Sequence, residues 1–188
     1  MAAAANAVPV SGQISLNGYA QAVGSVGMGA AIGISFADAS GTSVSGNSGQ
    51  LSSYGAGSGS FASLGACAST TGCGTIQNIS SFASQGALDG FLTLATTNGS
   101  TVSFDLTSIT NVTRPGSDQI GFTANGFINY TGFDRTAGTF NLTAQGNNIT
   151  SFSATTLAAS ATSVPEPASM ALLGGSLAVI GMIRRKKA

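Results

Sequence analysis

The chain has 188 residues, of which only 6% are charged; its basic and acidic residues balance to no net charge, and it contains no histidine. The absence of histidine excludes Ser-His-Asp and Cys-His catalysis, since both need an imidazole as the general base. Residues 1–163 contain two arginines and no lysine, too few cations to neutralise a nucleic-acid backbone.

The first seven residues, 1–7, are rich in alanine. Ala5-Asn6-Ala7 has the small-x-small form of a signal-peptidase site, yet neither a basic region nor an apolar region precedes it. Two interpretations stay open for this segment. It is either the remnant of a signal peptide, with Val8 as the first mature residue, or a flexible tail.

Residues 8–163 are predicted to form one exported β domain that is rich in Gly, Ser and Thr. Short runs in which apolar and polar residues alternate are typical of half-buried strands. The predicted strands are Gln13–Leu16, Ala31–Phe36, Gly90–Ala95, Val102–Leu106, Gln119–Thr123, Gly126–Tyr130, Thr139–Thr143 and Ile149–Thr155. Turns are predicted at Asn98-Gly99, Asn125-Gly126 and Gly146-Asn147, because Gly and Asn adopt a positive φ at low cost.

The spacing of these strands and turns predicts an all-β fold, specifically an antiparallel β-sandwich or jelly-roll-like domain. Residues 41–65 consist mostly of Ser, Gly and Ala, and they are expected to form a long loop or a loosely paired edge. The predicted core residues are Phe104, Leu106, Ile120, Phe122, Phe127, Phe140, Leu142 and Phe152.

The two cysteines, Cys67 and Cys73, are separated by five residues. In an exported protein a disulfide closing this small loop is the favoured interpretation. Free thiols are a second one. A zinc site is a third, although without histidine it would need carboxylates beside the two thiolates. We predict no metal site and no cofactor.

Carboxylates offer the remaining route to catalysis. Asp105, Asp118 and Asp134 could in principle form the pair that cleaves a glycosidic bond. However, Asp105 falls on the outward face of its strand, and Asp134 precedes Arg135 in a predicted turn. We therefore interpret these aspartates as solvated or ion-paired, and we assign no catalytic residue.

Asn-x-Ser/Thr triplets recur along the β domain. They suit strand and turn composition first, and they are glycan acceptors only where a dedicated transferase exists. The candidate acceptors are Asn78, Asn98, Asn111, Asn129, Asn141 and Asn148.

The last 25 residues, 164–188, have three ordered parts. An extended Pro-x-Pro segment comes first, because each proline fixes its own φ and forces the preceding residue out of the helical region. An uncharged apolar run, 168–183, is predicted to be a short transmembrane helix, with a buried core helix as the alternative. The basic cluster behind it would stay on the cytoplasmic side. The first part is Val164, Pro165, Glu166 and Pro167, and the last is Arg184, Arg185, Lys186 and Lys187.

This order of Pro-Glu-Pro, apolar helix and basic cluster resembles the PEP-CTERM sorting signal of Gram-negative and related bacteria. The resemblance covers about 25 residues, and residues 131–154 are more loosely similar to the last strands of many PEP-CTERM β-domains. It implies an exosortase as partner, anchoring in the inner membrane before processing near the motif, and final release or attachment at the cell surface, often beside exopolysaccharide.

Two functions remain in view. The first is a non-enzymatic exported protein of the bacterial envelope or extracellular matrix. The second is a β module that binds exopolysaccharide at the cell surface; it ranks lower because the chain has no Trp and only three Tyr residues to stack on sugar rings. A glycosidase would require two aspartates that converge in a cleft.

Overall fold

The computed structural model describes residues 8–96 and 99–159. These residues form ten strands and two short 3₁₀ turns, Met28–Ala30 and Gly59–Leu64. The strands are β1 (Gln13–Val23), β2 (Gly33–Phe36), β3 (Ser48–Tyr54), β4 (Cys67–Ala68), β5 (Gly74–Gln77), β6 (Leu88–Leu94), β7 (Val102–Gly116), β8 (Gln119–Tyr130), β9 (Thr136–Gln145) and β10 (Thr150–Ala158).

Eight of the strands close into an antiparallel barrel. The hydrogen-bonded order is β1, β10, β9, β8, β7, β6, β5 and β3, and β3 pairs again with β1 to complete the ring. The two remaining strands, β2 and β4, pair with β1 and β3. The all-β prediction is confirmed. The predicted β-sandwich or jelly roll is not, because one continuous sheet curls onto itself instead of splitting into two packed sheets.

The closure falls in the segment that was expected to be a long loop or a loosely paired edge. Within residues 41–65, the first half of β3 pairs with β5 and the second half pairs with β1. The 3₁₀ turn that follows buries Phe61 and Leu64. The loop prediction was wrong because β3 carries Gly49 at an inward position, where a side chain would overlap the backbone of Phe36 and Ala37, so the apolar alternation is weak.

Strand β8 also differs from its prediction. It runs unbroken from Gln119 to Tyr130, so Asn125-Gly126 is not a turn. Gly126 points into the barrel, where a methyl group would overlap the backbone oxygen of Asp105 and lie 2.6 Å from the Phe104 ring. This glycine allows β8 to lie close to β7, and it does not reverse the chain. The turn at Gly146-Asn147 is confirmed between β9 and β10, and Gly146 there has a φ of 136°.

The barrel interior is filled by aliphatic and aromatic side chains. Phe140 lies at its centre, with its ring 5.2 Å from that of Phe91, 6.0 Å from that of Phe104 and 5.9 Å from that of Phe122. Every predicted core residue is buried except Phe127. Because β8 has no turn at 125–126, its alternation continues and directs Phe127 outward.

The two ends of the barrel differ in what they carry. At one end, here called the tail end, β1 begins and β10 finishes, paired through Gln13 and Leu157. Val10 is fully buried there, and its amide donates to the Thr136 hydroxyl at 2.8 Å. The opposite end, here called the far end, carries the β7–β8 and β9–β10 turns. Val8 and Ala159 therefore both leave the barrel at the tail end.

Candidate functional site

The tail end fixes the point from which the sorting segment departs. The amide of Ala158 donates to the Gly12 carbonyl and that of Ala159 to the Ala137 carbonyl, each at 2.9 Å. Six peptide units separate Ala159 from Pro165, and a chain of that length can reach at most about 22 Å. The chain length alone therefore limits how far Pro165 can be from Ala159.

The predicted sorting and anchor residues themselves lie outside the described ranges. They are Val164, Pro165, Glu166, Pro167, Arg184, Arg185, Lys186 and Lys187. No helix among residues 8–96 and 99–159 is long and apolar enough to cross a membrane. The predicted transmembrane helix, 168–183, also falls outside those residues.

A disulfide closes a small loop at the same end of the barrel. It joins Cys67 of β4 to Cys73, just before β5, with the two Cα atoms 5.9 Å apart. Cys73 is fully buried, and its amide donates to the Leu51 carbonyl at 2.7 Å. The bridge therefore connects β4 and β5 beside β3, and both cysteines form the disulfide, so neither is a free thiol.

Asp105 holds neighbouring strands together on the outside of the barrel. Its carboxylate accepts hydrogen bonds from the Gly90 amide at 2.9 Å, from Asn129 Nδ2 at 2.8 Å and from the Arg135 guanidinium at 3.3 Å. Burial would raise the pKa of Asp105, but these three donors together outweigh it and lower the pKa. The guanidinium of Arg135 also lies 3.7 Å above the Phe127 ring. This is a structural ion pair.

The other aspartates are placed apart from each other. Asp118 lies in the β7–β8 turn at the far end, where its carbonyl accepts from the Gly146 amide at 2.8 Å. Asp134 lies in the β8–β9 turn at the tail end, where its amide donates to the Val8 carbonyl at 3.0 Å. In the described part of the chain, no three Cys, Asp or Glu side chains are grouped so that they could hold a metal ion.

The sequon asparagines fall into two groups. Asn78 and Asn129 donate hydrogen bonds from Nδ2, and Asn141 accepts one from the Thr123 hydroxyl at 2.8 Å. Asn111 and Asn148 are exposed, and Asn98 lies outside the described residues. The amide nitrogen that a glycosyltransferase would modify is therefore accessible at Asn111 and Asn148.

An uncharged groove of about 630 Å³, with both polar and apolar surface, crosses the outer face of the barrel toward the far end. It is lined by residues of β1, β3, β7, β8, β9 and β10, and none of its lining residues is charged. The outward residues of these strands are mostly Ser, Thr, Asn and Gln, with Tyr19 as the aromatic side chain at one edge. Sequence reasoning did not find this groove. The period-two polar residues were its signal, but the strand register that unites them was unknown.

The described structure and the tail together define a small all-β barrel protein with a C-terminal sorting segment. Residues 163–187 match the family model of the PEP-CTERM protein-sorting motif. The chain therefore carries a PEP-CTERM protein-sorting motif at its C-terminal end, and this motif indicates an exported protein that an exosortase processes. Searches of curated proteins and of solved structures returned no match to the chain.

Proposed function

We propose that this chain is a non-enzymatic structural protein of the bacterial envelope or extracellular matrix. The observation that carries the proposal is the sorting motif at residues 163–187, which follows a folded barrel after only a few residues. On this proposal the barrel is the exported cargo, and the segment beyond it directs where the barrel is delivered.

The tail supplies three separate physical properties. Pro165 and Pro167 keep the backbone around Glu166 extended, the form that a protease-like enzyme binds. The apolar run, 168–183, enters the bilayer, and the basic cluster Arg184–Lys187 stays on the cytoplasmic side. Cleavage near Glu166 then frees the barrel for the cell surface or the matrix.

The barrel itself is suited to a structural role. Its interior is filled by packed rings such as Phe36, Phe91 and Phe140, all fully or almost fully buried. Asp105, the most tightly held of the candidate carboxylates, is occupied by Gly90, Asn129 and Arg135. A closed sheet also leaves few unpaired strand edges, which protects a secreted protein from edge-to-edge aggregation.

The sorting motif can be tested by replacing Pro165, Glu166 and Pro167 with alanine in a host that has an exosortase. We expect the variant to keep its full mass and to remain in the inner membrane, while the wild-type protein is shortened and reaches the surface. Asp89→Asn, which also removes one carboxylate but lies on the barrel, is the matched control and should be processed normally. Unchanged processing of the triple variant would contradict the proposal.

A second candidate function is favoured by a specific observation. The outer groove is uncharged, combines polar and apolar surface and is bordered by Tyr19, properties that suit a carbohydrate ligand at the cell surface. The exopolysaccharide-binding function considered above is compatible with the structural role, because a matrix protein can bind the polymer that surrounds it.

A further inference from the structure

The floor of the outer groove is a single row of small residues that runs across five strands. Asn17, Ser153, Thr143, Gly121 and Thr113 are successive register partners on β1, β10, β9, β8 and β7. Four strand spacings of about 4.8 Å give this row a length of about 19 Å. A site of that length fits several linked units of a polymer better than one small molecule.

Gly121 keeps the middle of the floor clear. It lies on the outward face of β8, and a methyl group there would lie 2.9 Å from the Thr113 hydroxyl oxygen. A larger side chain would therefore fill the space between β7 and β9. Pro115, in the same β7–β8 hairpin, borders the groove on one side.

Tyr19 borders the groove on the opposite side. It faces outward from β1 and is half-buried. Gly41, in the loop before β3, lies against its ring, because a methyl group at that glycine would come within 3.3 Å of Cγ and Cδ1. The loop thus supports the ring, and the ring offers an apolar surface beside a polar floor, the combination that sugar rings use.

The groove has unused hydrogen-bonding capacity. Hydroxyl and amide side chains both donate and accept, as the hydroxyl groups of a sugar do. Among residues that the structure describes, Thr113 and Ser52 already donate to backbone carbonyls, and Asn17 Nδ2 donates to the Ser53 hydroxyl at 3.5 Å. The polar side chains of the groove that make no hydrogen bond to another described residue are Tyr19, Gln119, Thr143, Gln145, Ser151 and Ser153.

The absence of charged side chains in the groove lining favours an uncharged polymer over an anionic one as the ligand. A phosphate or carboxylate polymer would be expected to meet Arg or Lys side chains, since charge-assisted hydrogen bonds dominate the recognition of such groups. The groove lining contains none. We propose that this groove binds a segment of an uncharged polysaccharide, with its hydroxyl groups on the Asn17–Thr113 row and one sugar ring against Tyr19. The inference rests on the proposed surface location of the barrel.

Affinity electrophoresis of the full chain in detergent tests the proposal. Native gels would contain a neutral glucan, galactomannan or xylan, with alginate as the anionic comparison. We expect at least one neutral polymer to retard the wild-type protein and alginate to leave it unaffected. Tyr19→Ala should weaken the retarding interaction at least tenfold.

Two threonine variants test whether binding depends on the groove or on the protein surface in general. Thr143→Arg places a long cation on the groove floor, whereas Thr75→Arg places it on β5, on another part of the barrel, and both threonines are exposed. Only Thr143→Arg should abolish retardation. Equal behaviour of the two variants, retardation by alginate alone, or no retardation by any neutral polymer would overturn the proposal.

These outcomes are distinguishable from failure of the proposed function. If the chain is sorted and cleaved in its host but no neutral polymer retards it, the groove assignment is wrong and the sorting assignment stands. If neutral polymers retard the chain but alanine at Pro165, Glu166 and Pro167 leaves processing unchanged, the sorting assignment is the one that fails.

Discussion

The inside and the outside of the barrel are built from different residues, although they alternate along the same strands. On β9 the inward positions include Phe140 and Leu142, both almost completely buried, and the outward ones include Asn141 and Thr143. The inner face is large and apolar, whereas the outer face is small, polar and mostly uncharged. Stability therefore comes mainly from the interior, and the exterior is available for binding.

Charge is used sparingly and locally on the outer surface. Asp105 and Arg135 form an ion pair at 3.3 Å, and Arg114 donates to the Ala31 carbonyl at 2.8 Å. Both arginines bind groups of the fold itself. The uncharged groove is thus a distinct region, and Thr143, Ser151 and Ser153 there can change without removing a side-chain hydrogen bond to another described residue.

The largest expected effect comes from truncating the centre of the interior. Phe140→Ala removes a ring that contacts three others and should lower the free energy of unfolding by about 3–5 kcal/mol. Urea denaturation followed by far-UV circular dichroism measures this, since the chain has no Trp. Thr139→Ala, the neighbouring outward residue, should cost less than about 1 kcal/mol. Equal losses would mean that the two faces do not differ as described.

Adding volume to the interior should also be costly. Gly126→Ala forces a methyl group against Asp105 and Phe104, and overpacking of this kind costs about 1–3 kcal/mol. Gly86→Ala is the matched control, because nothing lies within 4 Å of the added methyl group there. Its unfolding midpoint should match that of wild type. A Gly126→Ala variant as stable as wild type would mean that Gly126 does not face the packed interior at the close distances described.

Gly126 also illustrates what the sequence could and could not predict. Strand β7 alternates clearly at Val102–Leu106, so its first third was predicted, whereas its continuation to Gly116 was not. In β3 and β8 glycine takes inward positions, and a pattern of apolar residues cannot distinguish such a glycine from a turn. Barrel closure could not be predicted for a different reason. It depends on the pairing of Leu16 with Tyr54, which no local sequence pattern specifies.

The sorting segment and the groove also differ in how far the sequence could predict them. The sorting segment is contiguous, so its residues and their order could be recognised directly, and the family match confirms that recognition. The groove collects Asn17, Ser153 and Thr113 from distant parts of the chain. It exists only once the register of β1, β10, β9, β8 and β7 is fixed.

Two buried threonines test how the interior treats polar groups. The Thr136 hydroxyl accepts from the Val10 amide and donates to the Asp134 carbonyl, both at 2.8 Å. The buried Thr156 hydroxyl has no partner among the described residues. Thr136→Val should therefore destabilise the protein by about 1–3 kcal/mol, whereas Thr156→Val should be neutral or stabilise it by up to about 1 kcal/mol. Denaturation of both variants gives the comparison, and destabilisation by Thr156→Val would show that its hydroxyl has a partner.

The smallest expected effect concerns the ion pair on the outer face. The pKa of Asp105 is lowered in the folded protein, so its stabilising contribution is present above the unfolded pKa of about 3.9 and is lost as the pH falls through the lower folded value. Asp105→Asn should cost about 1 kcal/mol at pH 6, because the amide keeps the shape but loses charge-assisted hydrogen bonds.

That difference between wild type and Asp105→Asn should shrink as the pH falls below about 4, because the unfolded chain takes up a proton at Asp105 before the folded protein does, and the loss is complete below the lowered folded pKa. The pKa of Asp38 is also lowered, chiefly by the hydrogen bond from the Thr42 amide, so both proteins lose stability in acid and only their difference is informative. Asp89→Asn, at an exposed position on β6, is the control for removing one charge. A gap between wild type and Asp105→Asn that stays constant throughout the acid range would mean that the stabilising hydrogen bonds of Asp105 do not depend on its charge.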